Sequence, residues 1–486
     1  MEPGNTAILA QLFEAWAGAA PESIAVLPKA GSDRQYYRLS GGGKSAIGAL
    51  NPDLAENTAF ISFSQHFHAL GLPVPEIYGN APAAGAYLQE DLGATALLSQ
   101  LTIWRRETGE HFPAAARQVY ARALEQLARM QVEGGKDLDY SLCIPRPAFD
   151  KQAMLWDLNY FKYFFAKLCA IPFDEQGLED DFHALADWLL EADCSHFMFR
   201  DFQARNIMVR DGEPYFIDYQ GGRRGALQYD LASLLYQAKA DLPHAARMDL
   251  LDHYLDALGQ YLTVDRAAFK THFFGYLLIR TLQVLGAYGF RGFVERRPHF
   301  LESIPFALNN LAWIRANVQL PVQLPTLEKL LDALPSSPRL AHLKRAWPEA
   351  HKLTVRVHSF SYKRGGIPED PSGNGGGFAF DCRAIHNPGR YEPYKRLTGR
   401  DQPVIDFLLA KSRVTAFLED AKAVVGPAVE RYLERGFSHL MVGFGCTGGQ
   451  HRSVYCADRM AEYLEKTYGV NVVLEHIEQE KKNWQN

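Results

Sequence analysis

Several features that would place this chain in a specialised class are missing from its sequence. Residues 1–26 show no basic segment followed by an apolar run, so we expect no signal peptide. The longest apolar run, residues 272–279, is far too short to span a bilayer, so we expect no membrane contact. The 6 cysteines show no CxxC and no metal-binding spacing, which favours reduced thiols over disulfides. These absences predict a cytoplasmic protein.

A large excess of charge of either sign is also missing. The net charge is −5, which argues against a protein that coats nucleic acid. Residues 352–486 hold 19 lysines and arginines against 16 acidic residues, so only this part could contact a polyanion, and only weakly. RNA binding is therefore kept only as a minor alternative.

The sequence does show a clear change of pattern along its 486 residues, a length that favours two or three domains. Short β-like runs dominate residues 21–90, as in an antiparallel meander, and helical periodicity dominates residues 113–335. A segment rich in proline, serine and charge follows. Strand-like and helical runs then alternate, which predicts a small α/β domain. We therefore predict domains at 1–335 and 352–486, joined by a linker at 336–351.

The run RDFQARN, residues 200–206, places Asp201 and Asn206 five positions apart. Beyond it, a hairpin with Asp211 and Gly212 at its turn leads to Asp218 at the end of a second strand. Phosphoryl transfer needs a carboxylate to deprotonate the acceptor and oxygen ligands to hold Mg²⁺. This spacing predicts Asp201 as the base, with Asn206 and Asp218 as Mg²⁺ ligands. The simpler alternative is that these are ordinary loop carboxylates.

Residues 20–335 resemble the aminoglycoside/choline phosphotransferase family. The resemblance lies in the catalytic run and in GSDRQYYRL (31–39), YLQEDLG (87–93) and QYDLASLL (228–235). It implies an α+β bilobal protein-kinase-like domain that uses ATP, and a residue, Asp230, that buttresses the catalytic loop. The implied nucleotide-binding residues are Ser32, Arg34 and Gln35 in a phosphate-covering loop, Lys44 on a strand, and Glu90, Asp91 and Leu92 in the hinge that holds adenine.

More narrowly, residues 217–243 look like kinases that phosphorylate N-acetylmuramate and N-acetylglucosamine at C1 during cell-wall recycling. This likeness implies an amino-sugar acceptor. The chain departs from the wider pattern, because Phe199 replaces the usual catalytic-loop histidine and the strand KSAIGALNP has no central lysine. Only Lys44, at the start of this strand, is available to pair with the ATP phosphates. The glutamate that would pair with such a lysine is expected in the middle of the next helix, but Glu56 lies near its beginning. Arg34 is a further candidate for neutralising the phosphates.

A second motif, GFGCTGGQHRSV, runs from a strand through a glycine-rich loop into a helix. Backbone N–H groups of such a loop form an anion cradle. Cys446 and Arg452 also have the C-x5-R spacing of cysteine phosphatases. In such a site the positive field of the loop N–H groups would lower the pKa of the thiol and favour the reactive thiolate. Gly445 stands where those enzymes usually place histidine, so we favour anion binding over phosphatase chemistry.

Residues 353–482, which include GCTGGQHRSVY, resemble the C-terminal domain of the RNase adapter protein RapZ family. The resemblance implies binding of an amino-sugar phosphate, with a contribution to RNA binding. The implied pocket consists of Lys363, Arg383, His386, Asn387, Arg396, Thr398, Gly399, Cys446, Thr447, Gly448, Gly449, Gln450, His451, Arg452 and Ser453.

Together these patterns predict an ATP- and Mg²⁺-dependent amino-sugar kinase, acting on the anomeric hydroxyl, whose second domain binds an amino-sugar phosphate or a similar anion. Three alternatives stay open: a small-RNA-binding regulator with a degenerate kinase domain, an aminoglycoside- or choline-type phosphotransferase, and a kinase fused to a cysteine-dependent phosphatase. Nothing in the sequence predicts an oligomeric state.

Overall fold

A computed structural model describes residues 3–27, 34–337, 339–340, 353–369, 377–434, 437 and 439–480. The chain divides into two compact units, 1–294 with 303–337 and 295–302 with 338–486. Most of the predicted linker, 336–351, lies outside the described residues. Each unit is described by itself below.

The first unit contains an antiparallel sheet of β1 (Ser23–Val26), β2 (Gln35–Gly41), β3 (Lys44–Leu50), β4 (Ile77–Ala81) and β5 (Ala86–Glu90), in the spatial order β1-β2-β3-β5-β4. Gly42 and Gly43 have positive φ angles of 58° and 74° and form the tight turn between β2 and β3. A helix before the sheet covers it through Leu9 and Phe13, which pack among Leu39 and Leu88. This helix is α1 (Pro3–Ala17), and α2 (Leu54–Ala69) follows β3.

The rest of the first unit is mainly helical, with short strands that place the catalytic residues. The helices are α3 (Leu97–Thr108), α4 (Ala114–Val132), α5 (Lys151–Phe161), α6 (Glu175–Leu189), α7 (Leu227–Leu235), α8 (His244–Leu258), α9 (Arg266–Gly289), α11 (Ile304–Asn317) and α12 (Pro325–Ala333). The strands are β6 (His196–Met198), β7 (Ile207–Arg210), β8 (Glu213–Phe216) and β9 (Arg223–Gly225). Strands β7 and β8 pair antiparallel, with Asp211 and Gly212 at positive φ between them, so the predicted hairpin is confirmed.

Helix α9 and the turn after it form an apolar stretch, Arg266–Val294, that is long enough to cross a membrane. In the structure, 67% of its most apolar window is buried inside the protein. Tyr276, Leu277 and Leu282 are among its buried side chains. Most of this stretch therefore packs inside the first unit, as a core helix does.

The second unit is built on a sheet with strand order β11-β12-β10-β13, whose neighbouring strands are all parallel. The predicted small α/β domain is therefore confirmed. Its elements are α10 (Pro298–Leu301), β10 (Thr354–Ser361), β11 (Gly377–Asp381), α13 (Gln402–Lys411), α14 (Val414–Glu434), β12 (His439–Cys446), α15 (Arg452–Tyr468), β13 (Asn471–His476) and α16 (Ile477–Glu480).

Candidate active site and anion loop

The predicted catalytic loop lies between β6 and β7, and its Asp201 and Asn206 come close to Asp218, which follows β8. The side-chain amide of Asn206 donates to the main-chain oxygen of Asp201 at 2.9 Å. The same amide nitrogen donates to Asp218 Oδ2 at 3.2 Å. Asn206 therefore links the base candidate to the second carboxylate, which lies just beyond β8.

The backbone at both ends of this site adopts an unusual conformation. Arg200 has φ of 80° and Asp218 has φ of 73°, a left-handed region that side chains other than glycine rarely occupy. Buried Asp230 holds the first strained segment, because its carboxylate accepts hydrogen bonds from the N–H of Phe199 at 2.7 Å and of Arg200 at 2.9 Å. Burial raises the pKa of Asp230 to about 7, although these donors oppose the shift. Strain maintained by a buried support is typical of functional sites.

Asp201 is held ionised by nearby arginines. Burial alone would raise its pKa, but Arg280, Arg200 and Arg205 together lower the pKa of Asp201 below its ordinary value. Arg280 Nη2 lies 3.2 Å from Asp201 Oδ1, and the carboxylate side chain is 44% exposed. A charged, accessible carboxylate can accept the proton of an acceptor hydroxyl.

Asp218 has the opposite electrostatic setting. Burial raises its pKa, and the nearby negative charge of Asp201 raises it further. Burial and a neighbouring carboxylate both destabilise the ionised form of Asp218, and a bound divalent cation would stabilise that form. Among the described residues no cluster of three or more His, Cys, Asp or Glu side chains could hold a metal by itself. An amide and a carboxylate, completed by phosphate oxygens, are the ligand set that Mg²⁺ commonly uses, so the residues present fit this ion.

Phe199, which stands in place of the usual histidine, is part of an aromatic cluster. Its ring centroid lies 5.2 Å from that of Phe202 and 5.8 Å from that of Tyr219. Tyr219 stacks on Phe60 of α2 at 5.2 Å, and its hydroxyl hydrogen-bonds Ser64 at 2.6 Å. The substitution therefore joins the catalytic loop to α2 by apolar packing.

The side chains predicted for the hinge are fixed by ion pairs. Arg210 Nη1 lies 2.6 Å from Glu90 Oε1. Arg38 Nε lies 2.7 Å from Asp91 Oδ2. Leu92 is buried. These contacts fix the side chains of the predicted hinge.

The base of the phosphate-covering loop is closed by Gln35, whose Nε2 donates to Leu27 O at 2.9 Å. Ser32 lies outside the described residues. The prediction for Lys44 needs correction. Its Nζ donates to Ala17 O at 3.3 Å and lies 5.1 Å from the Trp16 ring centroid, against α1. Strand β2 spans 7 residues, roughly 20 Å, and Lys44 follows the end of this strand that is distant from Gln35.

In the second unit, the glycine-rich loop closes around the sulfur of Cys446. The N–H of Gly449 donates to Cys446 Sγ at 3.2 Å, and Ser453 Oγ lies 3.2 Å from the same atom. Burial would raise the pKa of this thiol, but Ser453, Arg452 and the loop N–H groups lower it below its ordinary value. Cys446 is 3% exposed, so a substrate has little access to the sulfur.

The guanidinium of Arg452 is taken up by hydrogen bonds within the second unit. Its Nη1 donates to the carbonyl oxygens of Arg383 at 3.0 Å and Ile385 at 2.9 Å. Its Nη2 contacts Thr447 Oγ1 at 3.4 Å. The guanidinium therefore holds the loop against the segment after β11, and the C-x5-R spacing reflects packing.

The remaining predicted pocket residues form two groups. Several fix the loop to the segment before α13: Gly399 N donates to Gln450 O at 3.0 Å, Gln450 Nε2 donates to Leu397 O at 2.8 Å, and buried Thr398 bonds Asp401. The others lie at or near the surface. The first group comprises Thr398, Gly399, Gln450 and His451, and the second comprises Lys363, Arg383, His386, Asn387 and Arg396.

Three residues important to the geometry had not been singled out as site residues from the sequence. Arg280 reaches Asp201 from α9, and no local spacing signals this. Glu56 was noted only as badly placed, yet it pairs with Arg34 at 3.0 Å. Gln220 donates to Asp218 Oδ1 at 2.8 Å. A signal for Glu56 existed, because Asp53 caps α2 through the Glu56 N–H and so fixes the first turn of the helix.

An antiparallel sheet followed by a mainly helical part that brings Asp201, Asn206 and Asp218 together is the arrangement of a kinase-like phosphotransferase, whose fold implies ATP binding. Residues 23–270, just over half of the chain, match the phosphotransferase enzyme family, and the chain belongs to that family. Residues 353–480 match the RapZ C-terminal domain. Both family resemblances seen in the sequence are confirmed.

Individual relatives cover only part of the chain. A nucleotide-binding protein of Ralstonia nicotianae is 42% identical over 130 residues, which is 27% of this chain and 41% of that protein. The chain thus spans about two fifths of the curated relatives it matches. Among solved structures, amicoumacin kinase hAmiN in complex with AMP-PNP and Ca²⁺ is 14% identical, covering 67% of this chain and 100% of that one, with a TM-score of 0.45. An ethanolamine kinase of Plasmodium vivax is 13% identical, covering 60% and 82%, with a TM-score of 0.43.

Proposed function

We propose that this protein is an ATP- and Mg²⁺-dependent kinase of an amino sugar of the N-acetylglucosamine or N-acetylmuramate type, acting on the anomeric hydroxyl in the cytoplasm. The observation that supports it best is the link from Asp201 through Asn206 to Asp218, at 2.9 and 3.2 Å. A base beside two metal ligands is the arrangement that phosphoryl transfer requires, and this link supports it.

The roles follow from the electrostatics of each side chain. Asp201 accepts the proton of the acceptor hydroxyl, because its lowered pKa keeps it ionised. Asn206 and Asp218 hold Mg²⁺, which when bound offsets the charge of the phosphate oxygens. The peptide groups around Glu90, Asp91 and Leu92 hold adenine.

The charges around Asp201 favour a neutral or anionic acceptor. Arg280, Arg200 and Arg205 all act on this carboxylate. A polycationic aminoglycoside would bring its ammonium groups close to these guanidinium groups, at a cost in Coulomb energy. An N-acetylated sugar carries no such charge, and a sugar with a carboxylate gains from the arginines. An N-acetylated sugar is therefore preferred as the acceptor over an aminoglycoside or choline.

The second unit is proposed to bind an amino-sugar phosphate or a similar anion. The loop N–H groups and Lys363, Arg383 and Arg396 supply the donors and charges for such a ligand. The buried sulfur of Cys446 and the carbonyl-bound Arg452 disfavour the phosphatase alternative. The near-balanced charge of this region gives little counterion release, which disfavours RNA.

The experiment incubates the protein with ATP, Mg²⁺ and each of a panel of acceptors, and measures the ADP that is released. N-acetylglucosamine and N-acetylmuramate should be phosphorylated, glucosamine more slowly, and aminoglycosides not at all. Phosphorylation of aminoglycosides or choline, with none of the N-acetylated sugars, would overturn the proposed acceptor class. No ADP release with any acceptor, from protein that binds RNA, would favour the regulator.

A further inference from the structure

The central part of strand β3 lacks the cation that kinases usually place beside the nucleotide phosphates. In the sheet, Ala49 lies opposite Tyr36 of β2 and Tyr87 of β5, so the three side chains share one face. Ala49 is fully buried and carries no charge. Lys44 at the start of the strand faces α1, as described above. The positive charge must therefore come from another element.

Arg34 occupies this face from the residue just before β2. Its guanidinium lies 5.8 Å from the ring centroid of Tyr36 and 6.0 Å from that of Phe60 on α2. Nη1 donates to the Tyr36 hydroxyl at 2.9 Å, and Nη2 lies 3.0 Å from Glu56 Oε1. The residue is 3% exposed, and among the described residues its Nε has no hydrogen-bond partner. The guanidinium therefore keeps at least one N–H donor that the described residues do not use.

The carboxylate that pairs with Arg34 is connected to the proposed metal site. Glu56 lies in the first turn of α2, where Asp53 accepts its N–H at 3.0 Å. Gln220 Nε2 donates both to Glu56 Oε1 at 3.2 Å and to Asp218 Oδ1 at 2.8 Å. A continuous chain of contacts thus runs from Arg34 through Glu56 and Gln220 to Asp218. The stacking of Phe60 on Tyr219 joins the same two segments, α2 and the residues that follow β8.

We propose that Arg34 binds the nucleotide phosphates in place of the absent lysine of β3, and that Glu56 and Gln220 are positioning residues that align this guanidinium with Asp218. The proposal rests on the proposed function, since it assumes that a nucleotide binds here. It explains why Ala49 is small: the space that a lysine side chain would need is used by Arg34. It also explains why Glu56, which pairs with Arg34, lies in the first turn of α2 rather than in the middle of that helix.

The test measures binding of the fluorescent nucleotide mant-ATP with Mg²⁺, and needs no acceptor. Arg34→Met keeps the volume of the side chain and removes its charge, so affinity should fall roughly 10- to 100-fold, as expected for loss of a charged hydrogen bond. Adding Ala49→Lys to Arg34→Met should recover part of this loss. The control is Arg122→Met, which removes an arginine that pairs with Glu213 on the β7–β8 hairpin. It should leave affinity unchanged.

Each outcome is informative when thermal melting is recorded for every variant. Reduced binding by Arg34→Met with an unchanged melting temperature, recovered by Ala49→Lys, supports the proposal. Wild-type affinity in Arg34→Met overturns the role of the arginine while leaving the kinase assignment intact. Reduced binding that Ala49→Lys does not recover, together with a lowered melting temperature, overturns it in favour of a purely structural arginine. A wild type that binds no nucleotide overturns the proposed function itself.

Discussion

Replacing Asp201 with asparagine should separate catalysis from nucleotide binding. The change removes the proton acceptor, so turnover should fall by ~10²- to 10⁴-fold, the range that general-base catalysis supplies. This equals about 3–5 kcal/mol of transition-state free energy. Asn206 donates to the main-chain oxygen of Asp201, so its contact survives the substitution. The lost pair with Arg280, whose own side chain is only 5% exposed, should cost about 1–3 kcal/mol of folding stability.

The assay compares turnover with mant-ATP affinity in the same preparations. The matched control is Asp211→Asn, at the turn of the β7–β8 hairpin, where φ is 54° and asparagine is well tolerated. We expect Asp201→Asn to bind nucleotide within about twofold of wild type and to turn over at least ~10²-fold more slowly, with Asp211→Asn unchanged in both. Turnover of Asp201→Asn within tenfold of wild type would refute the assignment of the base.

Three other predictions concern stability and the second unit. Asp230→Ala removes the acceptor of three hydrogen bonds, to Phe199, Arg200 and Gln131, and should lower the free energy of unfolding by about 3–5 kcal/mol in urea titration; a loss below 1 kcal/mol would contradict its supporting role. Burial would raise the pKa of Asp458, but His476 and Arg400 lower it below its ordinary value. The ionised carboxylate therefore stabilises the folded state above the ordinary pKa of an aspartate, and this stabilisation is lost as the pH falls through the lower pKa of the folded state. Asp458→Asn should therefore be less stable than wild type by about 2 kcal/mol at pH 7, and the difference should shrink as the pH falls below the ordinary pKa of an aspartate, 3.8, as unfolding measured over a pH series will show; a constant difference would contradict the ion pair. Cys446→Ser should keep affinity for glucosamine 6-phosphate within about twofold in calorimetry, since the serine oxygen can accept the same hydrogen bonds; phosphatase activity that is present in wild type and lost in this variant would restore the rejected alternative.

The parts of this account that the sequence predicted are local in the chain. Asp201, Asn206 and Asp218 lie on one loop and one hairpin, so their spacing was enough to predict that they meet. The hairpin itself was predictable because Asp211 and Gly212 favour the positive φ of a tight turn. The small α/β domain followed from alternating strand-like and helical runs.

The parts that were missed depend on contacts between distant segments. Arg280 reaches Asp201 from α9, 79 positions away in the chain. Lys44 looked suitable because it starts the correct strand, but the direction of β2 and β3 places it against α1. Arg452 has the spacing of a phosphate ligand, yet the segment after β11 supplies carbonyl oxygens that take its hydrogen bonds. Neither strand direction nor such packing is encoded in a short motif.

The most direct measurement is ³¹P NMR of the product formed from N-acetylglucosamine, ATP and Mg²⁺. We predict a phosphate resonance split into a doublet by the single anomeric proton, formed by wild type and by Asp211→Asn but not by Asp201→Asn. A resonance split by two protons, as for a phosphate on the C6 hydroxyl, or the appearance of inorganic phosphate alone, would contradict an anomeric sugar kinase.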